Sequence, residues 1–507
     1  MTRVVVVGAG PAGLAAAEAA LRAGAEVTVL DQSDAPGGQY HRTLYGARQQ
    51  GFERLLARCD WWPESTVWAL ETTAAGNAGA ADRAAGESAA GDAATGDTGA
   101  GDLAAAARAA GDAGGGDLVV ADPATGVRGV GDAGAGDAAA AAPGAGGRGT
   151  GLRLHVLRGP ADGTGRTRHT LEPDALVLAT GAHDRTLPFP GWQLPGVFTA
   201  GAAQALAKGE RVAVGRRVLV AGAGPFLLPV AASLLGVGAE VAAVLEANPA
   251  PTVLKGWRFP TRKAGELAHY AATLARHRVP YHLGRTLVEA RGDERVREAV
   301  TARVRPDWSV IPGTERTFAV DAVCVGHGFT PQPELAVVAG CVLDGGFVRT
   351  NKDQRTSVGN IYAAGEITGI GGADAARAEG AVAGCVAAGG TPSPELLRER
   401  DRTRRFADRL KAAHPIGAAW PGWLRDDTIV CRCEETTYGE IKAAVADPTT
   451  PGPHALKLGT RAGLGPCQGR MCGPTVAELC GGTERHHRPI AQPIRLGELA
   501  DPKETPA

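Results

Sequence analysis

Five of the nine cysteines crowd into the stretch from Cys431 to Cys480. Cys431-Arg432-Cys433 and Cys467-Gln468-Gly469-Arg470-Met471-Cys472 offer four thiols in two short loops. Four thiolates suit either a zinc ion or an iron–sulfur cluster. A structural zinc site spaces each ligand pair by more than the single residue between Cys431 and Cys433, and that gap is tight for tetrahedral ligation of one ion. The spacing favours a 2Fe–2S cluster over zinc or free thiols. Cys480 reads as a buried spare on a helix over Thr475–Leu479. Cys59, Cys324, Cys341 and Cys385 stand singly, as small buried hydrophobes do.

Two glycine-rich turns supply a second chemistry. Gly8, Gly10 and Gly13 follow the apolar run Arg3–Val7 and open an Ala-rich helix. In a dinucleotide fingerprint the first glycine permits the turn, the second admits the pyrophosphate, and the third packs helix on strand. The phosphate then meets the N–H groups of a helix N-terminus. Asp31, at the end of the strand Glu26–Leu30, stands where an acid accepts ribose hydroxyls. A second start runs Arg217–Ala221, Gly222-Ala223-Gly224-Pro225, then Leu227–Leu235, with Glu246 ending the next strand. Its third glycine position is Leu227, which should push helix from strand and narrow the turn. NAD(P) binding there is open, against a scaffold role or another adenine nucleotide, and Glu246 would favour NAD over NADP by repelling a 2′-phosphate.

Further motifs follow the first fingerprint: Gly37-Gly38-Gln39, Ala179-Thr180-Gly181 and Asn360-Ile361-Tyr362-Ala363-Ala364-Gly365-Glu366. Together they resemble the two-dinucleotide-binding flavoproteins, which implies FAD in the first fold, backbone near the flavin at Gly38 and Gln39, and the ribityl chain at Gly365 and Glu366. The acid is usually Asp in that superfamily and is Glu366 here. Disulfide-reductase chemistry is not expected, because neither Cys59 nor Cys324 has a second cysteine beside it.

The segments around Cys431–Cys433 and Thr460–Gly473 resemble the 2Fe–2S domain named after bacterioferritin-associated ferredoxin, which implies Cys431, Cys433, Cys467 and Cys472 as ligands. Four residues separate the last pair, as in versions fused to larger flavoproteins, where the small ferredoxin has two. Leu178–Arg185, Pro188-Phe189-Pro190-Gly191-Trp192 and Leu194–Phe198 carry the most specific likeness. With the second turn and the cysteines they resemble the large flavoprotein subunits of heteromeric amine and amino-acid dehydrogenases: the opine oxidase A, hydrogen cyanide synthase B, and proline or hydroxyproline dehydrogenase alpha type. That resemblance implies a separate FAD-bearing partner that oxidises a C–N bond, with this chain relaying the electrons. The alternatives are a self-contained NAD(P)H-dependent reductase and a non-catalytic electron-storage or assembly subunit. No His or Tyr constellation for an amine site stands out, and His183 and His327 read as structural, so the catalytic residues are left unassigned.

These motifs require an α/β chain of several domains, as 507 residues exceed one core. The expected order is a FAD-binding domain over 1–200, an NAD(P)-type Rossmann domain over 210–320, the rest of the FAD domain over 321–395, a linker over 396–424, a small helical 2Fe–2S domain over 425–484, and an extended tail over 485–507. Within the first part, residues 73–150 are rich in Ala, Gly and Asp on a five-residue acidic beat. So little apolar mass cannot offset its ordering entropy, and a disordered insertion is expected. A net charge of −1 without a basic block argues against nucleic acid. No run is long and apolar enough to span a bilayer, and the expected placement is cytoplasmic, with membrane association only through a complex.

Overall fold

Val4 to Val7 are buried on both faces of β1 (Arg3–Val7), as expected for a strand inside a parallel sheet covered by helices. The computed structural model describes residues 1–39, 50–73, 151–256 without 162 and 164, 263–482 without 448, 450 and 451, and 490–500. Helix α1 (Pro11–Arg22) starts directly after Gly10, with proline at its first position. β2 (Glu26–Leu30) lies parallel to β1. After α2 (Gln50–Leu56), β3 (Asp60–Trp62) extends the sheet on the far side of β2.

The chain next builds an antiparallel sheet from β4 (Ser65–Thr73), β5 (Gly151–Arg158) and β6 (Thr167–Leu171). Thr73 and Gly151 are register partners, so the chain leaves and re-enters the sheet at one point. The acidic repeat between them, expected to be disordered, lies outside the described residues. β7 (Ala175–Leu178) returns beside β1, and β8 (Ala182–Asp184) carries the chain away.

A second parallel sheet follows, built from β9 (Val197–Thr199), α3 (Ala200–Ala205), a π-helical turn (Leu206–Glu210), β10 (Arg217–Gly222), α4 (Leu227–Gly236), β11 (Glu240–Glu246), α5 (Ala250–Gly256), α6 (Ala264–Arg276) and β12 (Tyr281–Leu283). β13 (Arg285–Arg291), β14 (Glu298–Arg303) and β15 (Arg316–Ala319) form an antiparallel excursion before β16 (Ala322–Gly326) closes against β10. The order β12-β11-β10-β16-β9 corrects both expected boundaries. β9 belongs to the second sheet although it precedes residue 200, and β16 belongs there although it follows 320. A short buried apolar strand fits either sheet, and the parallel register with β10 decides. The chain crosses back through β17 (Phe329–Pro331), which pairs with β8, so the two crossings form one ribbon.

After α7 (Glu334–Val338), β18 (Leu343–Asp344) and β19 (Phe347–Val348), β20 (Ile361–Ala363) completes the first sheet in the order β20-β7-β1-β2-β3. Helix α8 (Gly372–Ala387) packs against α1 with backbones nearly touching: a Cβ on Gly380 would lie 2.0 Å from the Ala12 carbonyl oxygen, and one on Gly384 2.0 Å from that of Ala16.

The expected linker is instead packed structure. Ser393 caps the 20-residue helix α9 (Pro394–Ala413), accepting from the Leu396 N–H. Both tryptophans of the 3-10 turn Trp420–Trp423 are buried, and Trp423 stacks on Trp308 at 5.8 Å. Large aromatic surfaces gain most by burial, so the Pro/Trp stretch is a core element where composition suggested a connector. The cysteine domain holds β21 (Ile429–Cys431), β22 (Thr436–Thr437), α10 (Tyr438–Ala446) with a Thr437–Glu440 capping box, α11 (Gly452–Thr460) and α12 (Gly473–Leu479). The expected extended tail is docked where it is described. The Ala491 N–H donates to the Trp68 carbonyl, and Glu498 of α13 (Leu496–Ala500) takes a two-pronged ion pair from Arg166, both bonds 2.7 Å. A pairing between residues so distant in sequence leaves no local signal.

Candidate cofactor sites

The first glycine turn has the shape its residues require. Gly8 sits at φ +105°, and a Cβ there would lie 2.3 Å from the Ala179 carbonyl oxygen. A Cβ on Gly13 would lie 1.7 Å from the Gly8 oxygen, whereas one on Gly10 would meet open space. Gly13 is therefore a packing glycine and Gly10 the one facing the crevice. Asp31 accepts from the Ala9 N–H (2.5 Å) and the Ser33 N–H (2.8 Å), which holds its carboxylate beside the turn. Gly38, at φ +58°, leans on Gly10, where its Cβ would come within 3.0 Å of the Gly10 Cα.

These residues border a cavity of about 2350 Å³, whose walls include Gly8, Gly10, Asp31, Gly38, Gln39, Thr180, Gly181 and Glu366. That exceeds the usual small-molecule cleft and is large enough for a dinucleotide. Thr180 donates its hydroxyl to the Gln332 carbonyl (2.6 Å), tying this wall to the strand that crosses back from the second sheet. Gly365 does not face the cavity. Its N–H donates to Glu379, and its α-carbon sits against Ala12. The Glu366 carboxylate accepts from the N–H groups of Gly371 and Gly372 at the start of α8. Burial raises its pKa against the opposing effect of those amides.

Glu379 was missed from sequence. It is buried on α8, accepts from Thr368 and Gly365, and pairs with Arg404 of α9 at 2.6 Å. A lone acid on the apolar face of an Ala/Gly helix was the available signal.

The second turn departs from the first. Gly222, at φ +150°, lies against β16, where a Cβ would meet the Gly326 oxygen at 1.8 Å. Helix α1 begins one residue after Gly10, but α4 begins only at Leu227, three residues after Gly224. Leu227 is fully buried, and Gly326 provides its room: a Cβ on Gly326 would be 3.3 Å from a Leu227 methyl. Gly224 borders the large cavity, but Glu246 does not. Glu246 is fully buried, accepting from the N–H of Gly224 (2.7 Å), with His414 Nδ1 3.1 Å away.

The four cysteines come together as two pairs, Cys431 with Cys472 and Cys433 with Cys467. Cys431 and Cys472 are buried, Cys433 is exposed and Cys467 is intermediate. Gly465 runs so close that a Cβ would lie 2.3 Å from the Cys433 Cβ. The hydrogen bond from Cys472 brings the Cys431 pKa down to about 5, helped by the N–H groups of Gly463, Glu434 and Cys433. Among the described residues no three His, Cys, Asp or Glu side chains gather as a ligand set for a metal ion. Two thiol pairs, one wrapped in amide donors, suit a two-iron cluster better than a single zinc. Cys480, expected to be buried, is half-buried and packs beside the core of Val430, Ile441 and Leu456. Burial pushes Cys59 up to about 11 and raises Cys324, Cys341 and Cys385; Cys324 and Cys341 are buried, whereas Cys59 and Cys385 are half-buried.

The cysteine domain is docked on the segment after Thr180-Gly181. Trp192 donates to the Ile429 carbonyl (2.5 Å), Thr475 donates to the Thr186 carbonyl (3.1 Å), Arg185 pairs with Glu478, and Arg432 lies over the Trp192 ring. Gly473 and Pro474, directly after Cys472, line the same cavity as Gly8 and Asp31. His183 borders this cavity, and so does His327, which is buried with Nδ1 lacking a protein partner.

Residues 154–380 match the pyridine nucleotide-disulphide oxidoreductase family, 6–57 the NAD(P)-binding Rossmann-like domain, and 429–480 the BFD-like [2Fe-2S] binding domain. The A subunit of opine oxidase from Agrobacterium tumefaciens (strain Ach5) is 29% identical, over 98% of this chain and 91% of that protein. The HcnB subunit of hydrogen cyanide synthase from Pseudomonas aeruginosa is 33% identical, over 60% of this chain and 69% of that one. The opine oxidase A subunit of Rhizobium meliloti (strain 1021) is also 33% identical, over 64% of this chain and 76% of that protein. The solved L-proline dehydrogenase from P. horikoshii shares the fold, with a TM-score of 0.57 at 17% identity, over 99% of this chain and 79% of that one. Among the described residues no helix is long and apolar enough to cross a membrane. With its FAD-type oxidoreductase fold and its BFD-like 2Fe–2S domain, the chain belongs to the flavoprotein family that includes the A subunit of opine oxidase and the HcnB subunit of hydrogen cyanide synthase.

Proposed function

We propose that this chain is a cytoplasmic electron-relay subunit, taking electrons that a partner removes from the C–N bond of an amine or amino acid. The observation that carries this reading is the shared cavity. Gly8, Gly10 and Asp31 form one wall, and Gly473 and Pro474, next to Cys472, form another.

In this reading Gly8 and Gly10 shape the pyrophosphate turn, Gly13 lets α1 pack close behind it, and Asp31 receives the adenosine ribose. Gly38, Gln39, Thr180 and Gly181 surround the flavin. Glu366 fixes the start of α8, whose N-terminus faces the same crevice as that of α1, and Gly365 is held to Glu379 behind it. Cys431, Cys433, Cys467 and Cys472 would ligate the cluster. When bound, a flavin supplies both two-electron and one-electron steps, and a 2Fe–2S cluster supplies one-electron steps. The relatives support a heteromer because their names mark them as subunits, and opine oxidation supports the donor class.

A second reading, an NAD(P)H-dependent reductase, draws support from Gly224, which borders the same cavity. Anaerobic reduction of the purified chain separates the two. The relay reading expects no flavin bleaching by NADH, nor by proline, hydroxyproline, glycine or opines alone, and bleaching when a co-encoded partner is added with its amine. Rapid bleaching by NADH alone would establish the reductase.

A further inference from the structure

The family fold implies a pyridine nucleotide on the second Rossmann domain, but the residues at its ribose end are already engaged. Both oxygens of Glu246 are used within the chain. One accepts from the Gly224 N–H at 2.7 Å and faces His414 Nδ1 at 3.1 Å; the other accepts from the Asn248 N–H at 2.9 Å and the Asn248 side-chain amide at 2.8 Å. Glu246 and Asn248 are fully buried. In the first domain Asp31 and the two residues after it border the cavity, whereas Glu246, Ala247 and Asn248 do not.

The cover is the chain's own end of α9 and the stretch after it. Trp308 donates its indole N–H toward Asn248 Oδ1 (3.4 Å), and Trp423 stacks on Trp308 and donates to its carbonyl at 2.9 Å. The Ala419 N–H donates to the Asp307 carbonyl, and Gly417 runs so close to residues 307 and 308 that a Cβ would lie 2.4 Å from both. Gly256 is pressed equally hard on Ala413 and the Arg409 carbonyl.

An adenosine ribose needs carboxylate oxygens that it can reach. Here it would have to displace His414 and expose the buried tryptophan pair, leaving buried polar groups unpaired, which is costly. We infer that the ribose end of the second Rossmann crevice, at Glu246 and Asn248, is closed by the chain's own segment 409–424 in place of a pyridine nucleotide, while Gly224 and His414 still border the open cavity, and that this closed end serves as the anchorage of the cysteine domain. Four residues after Pro421 the anchorage continues, with Arg425 pairing with Glu289 at 3.0 Å. With its ribose end closed, the crevice offers NAD(P)H no seat for the adenosine, which deepens the relay reading and takes its functional meaning from it.

The test uses the FAD-loaded full chain and measures direct binding of NADH and NADPH by calorimetry, together with melting temperature. No saturable binding is expected up to about 1 mM, the upper end of ordinary enzyme affinities. Glu246→Gln and His414→Ala should each lower the melting temperature by about 2–6 °C and speed proteolytic cleavage within 409–424, with flavin absorbance retained. Saturable NADH binding by the wild-type chain that Glu246→Gln weakens would overturn the inference. So would variants whose melting and cleavage match wild type. If a variant fails to fold, wild-type binding still decides. The relay reading fails separately, if partner and amine together leave the flavin oxidised.

Discussion

The indole N–H of Trp192 donates to the carbonyl of Ile429, two residues before Cys431, so a loop leaving the flavin-type fold holds the strand that carries the first cysteine. The ring of Trp192 also lies 5.2 Å beneath the Arg432 guanidinium. Registration of the cysteine domain on the segment after Thr180-Gly181 thus depends on this contact together with those of Thr475 and Glu478.

Trp192→Phe keeps the ring but removes that hydrogen bond, at a cost of about 0.5–1.5 kcal/mol. The expected result is unchanged iron and flavin content with slower cluster reduction after photoreduction of the flavin, followed by stopped-flow absorbance. An unchanged rate would mean that the dock does not set the transfer distance.

Cys472→Ser should abolish the cluster's absorbance and its low-temperature EPR signal while FAD stays bound, and Cys480→Ser should change neither. Cys472 stands in the pair with Cys431, whereas Cys480 lies in the small apolar core. Loss of both cofactors from Cys472→Ser would show that the FAD fold requires the cysteine domain, through the packed segment after α9.

Replacing residues 74–149 by a short turn should leave FAD content and melting temperature within error of wild type. Thr73 and Gly151 already face each other across β4 and β5, so a hairpin can close there. A shortened chain that purifies without flavin would assign the insertion a part in folding.

His327 gives a pH signature. Burial, with Arg185 nearby, holds its pKa down to about 3 from the ordinary 6.5. Between those values the unfolded chain takes up a proton that the folded chain refuses, so stability present above the ordinary pKa is lost as pH falls toward the folded one. His327→Gln should flatten the acid side of a urea-midpoint profile measured between about pH 4 and pH 7. An equally steep profile in the variant would place the acid sensitivity elsewhere.

Local chemistry was legible in the sequence wherever one residue type in one short window was enough. A glycine that must hold φ +105° with no room for a Cβ shows as Gly8, and thiols one residue apart show as Cys431 and Cys433, because neither requirement depends on distant residues. The valines of β1 and the Ala-rich α1 likewise identify themselves through period and size.

What the sequence left open was settled by contacts between residues far apart in the chain. β9 and β16 joined the second sheet because parallel register with a neighbour, invisible in a buried apolar strand, selects the sheet. The stretch read as a linker became core because Trp308 offered Trp423 a face to stack on. Glu246 has the residue type of a ribose acceptor, and sequence alone could not reveal His414 against it. Such pairings depend on where the backbone returns in space, and only the tertiary structure decides that.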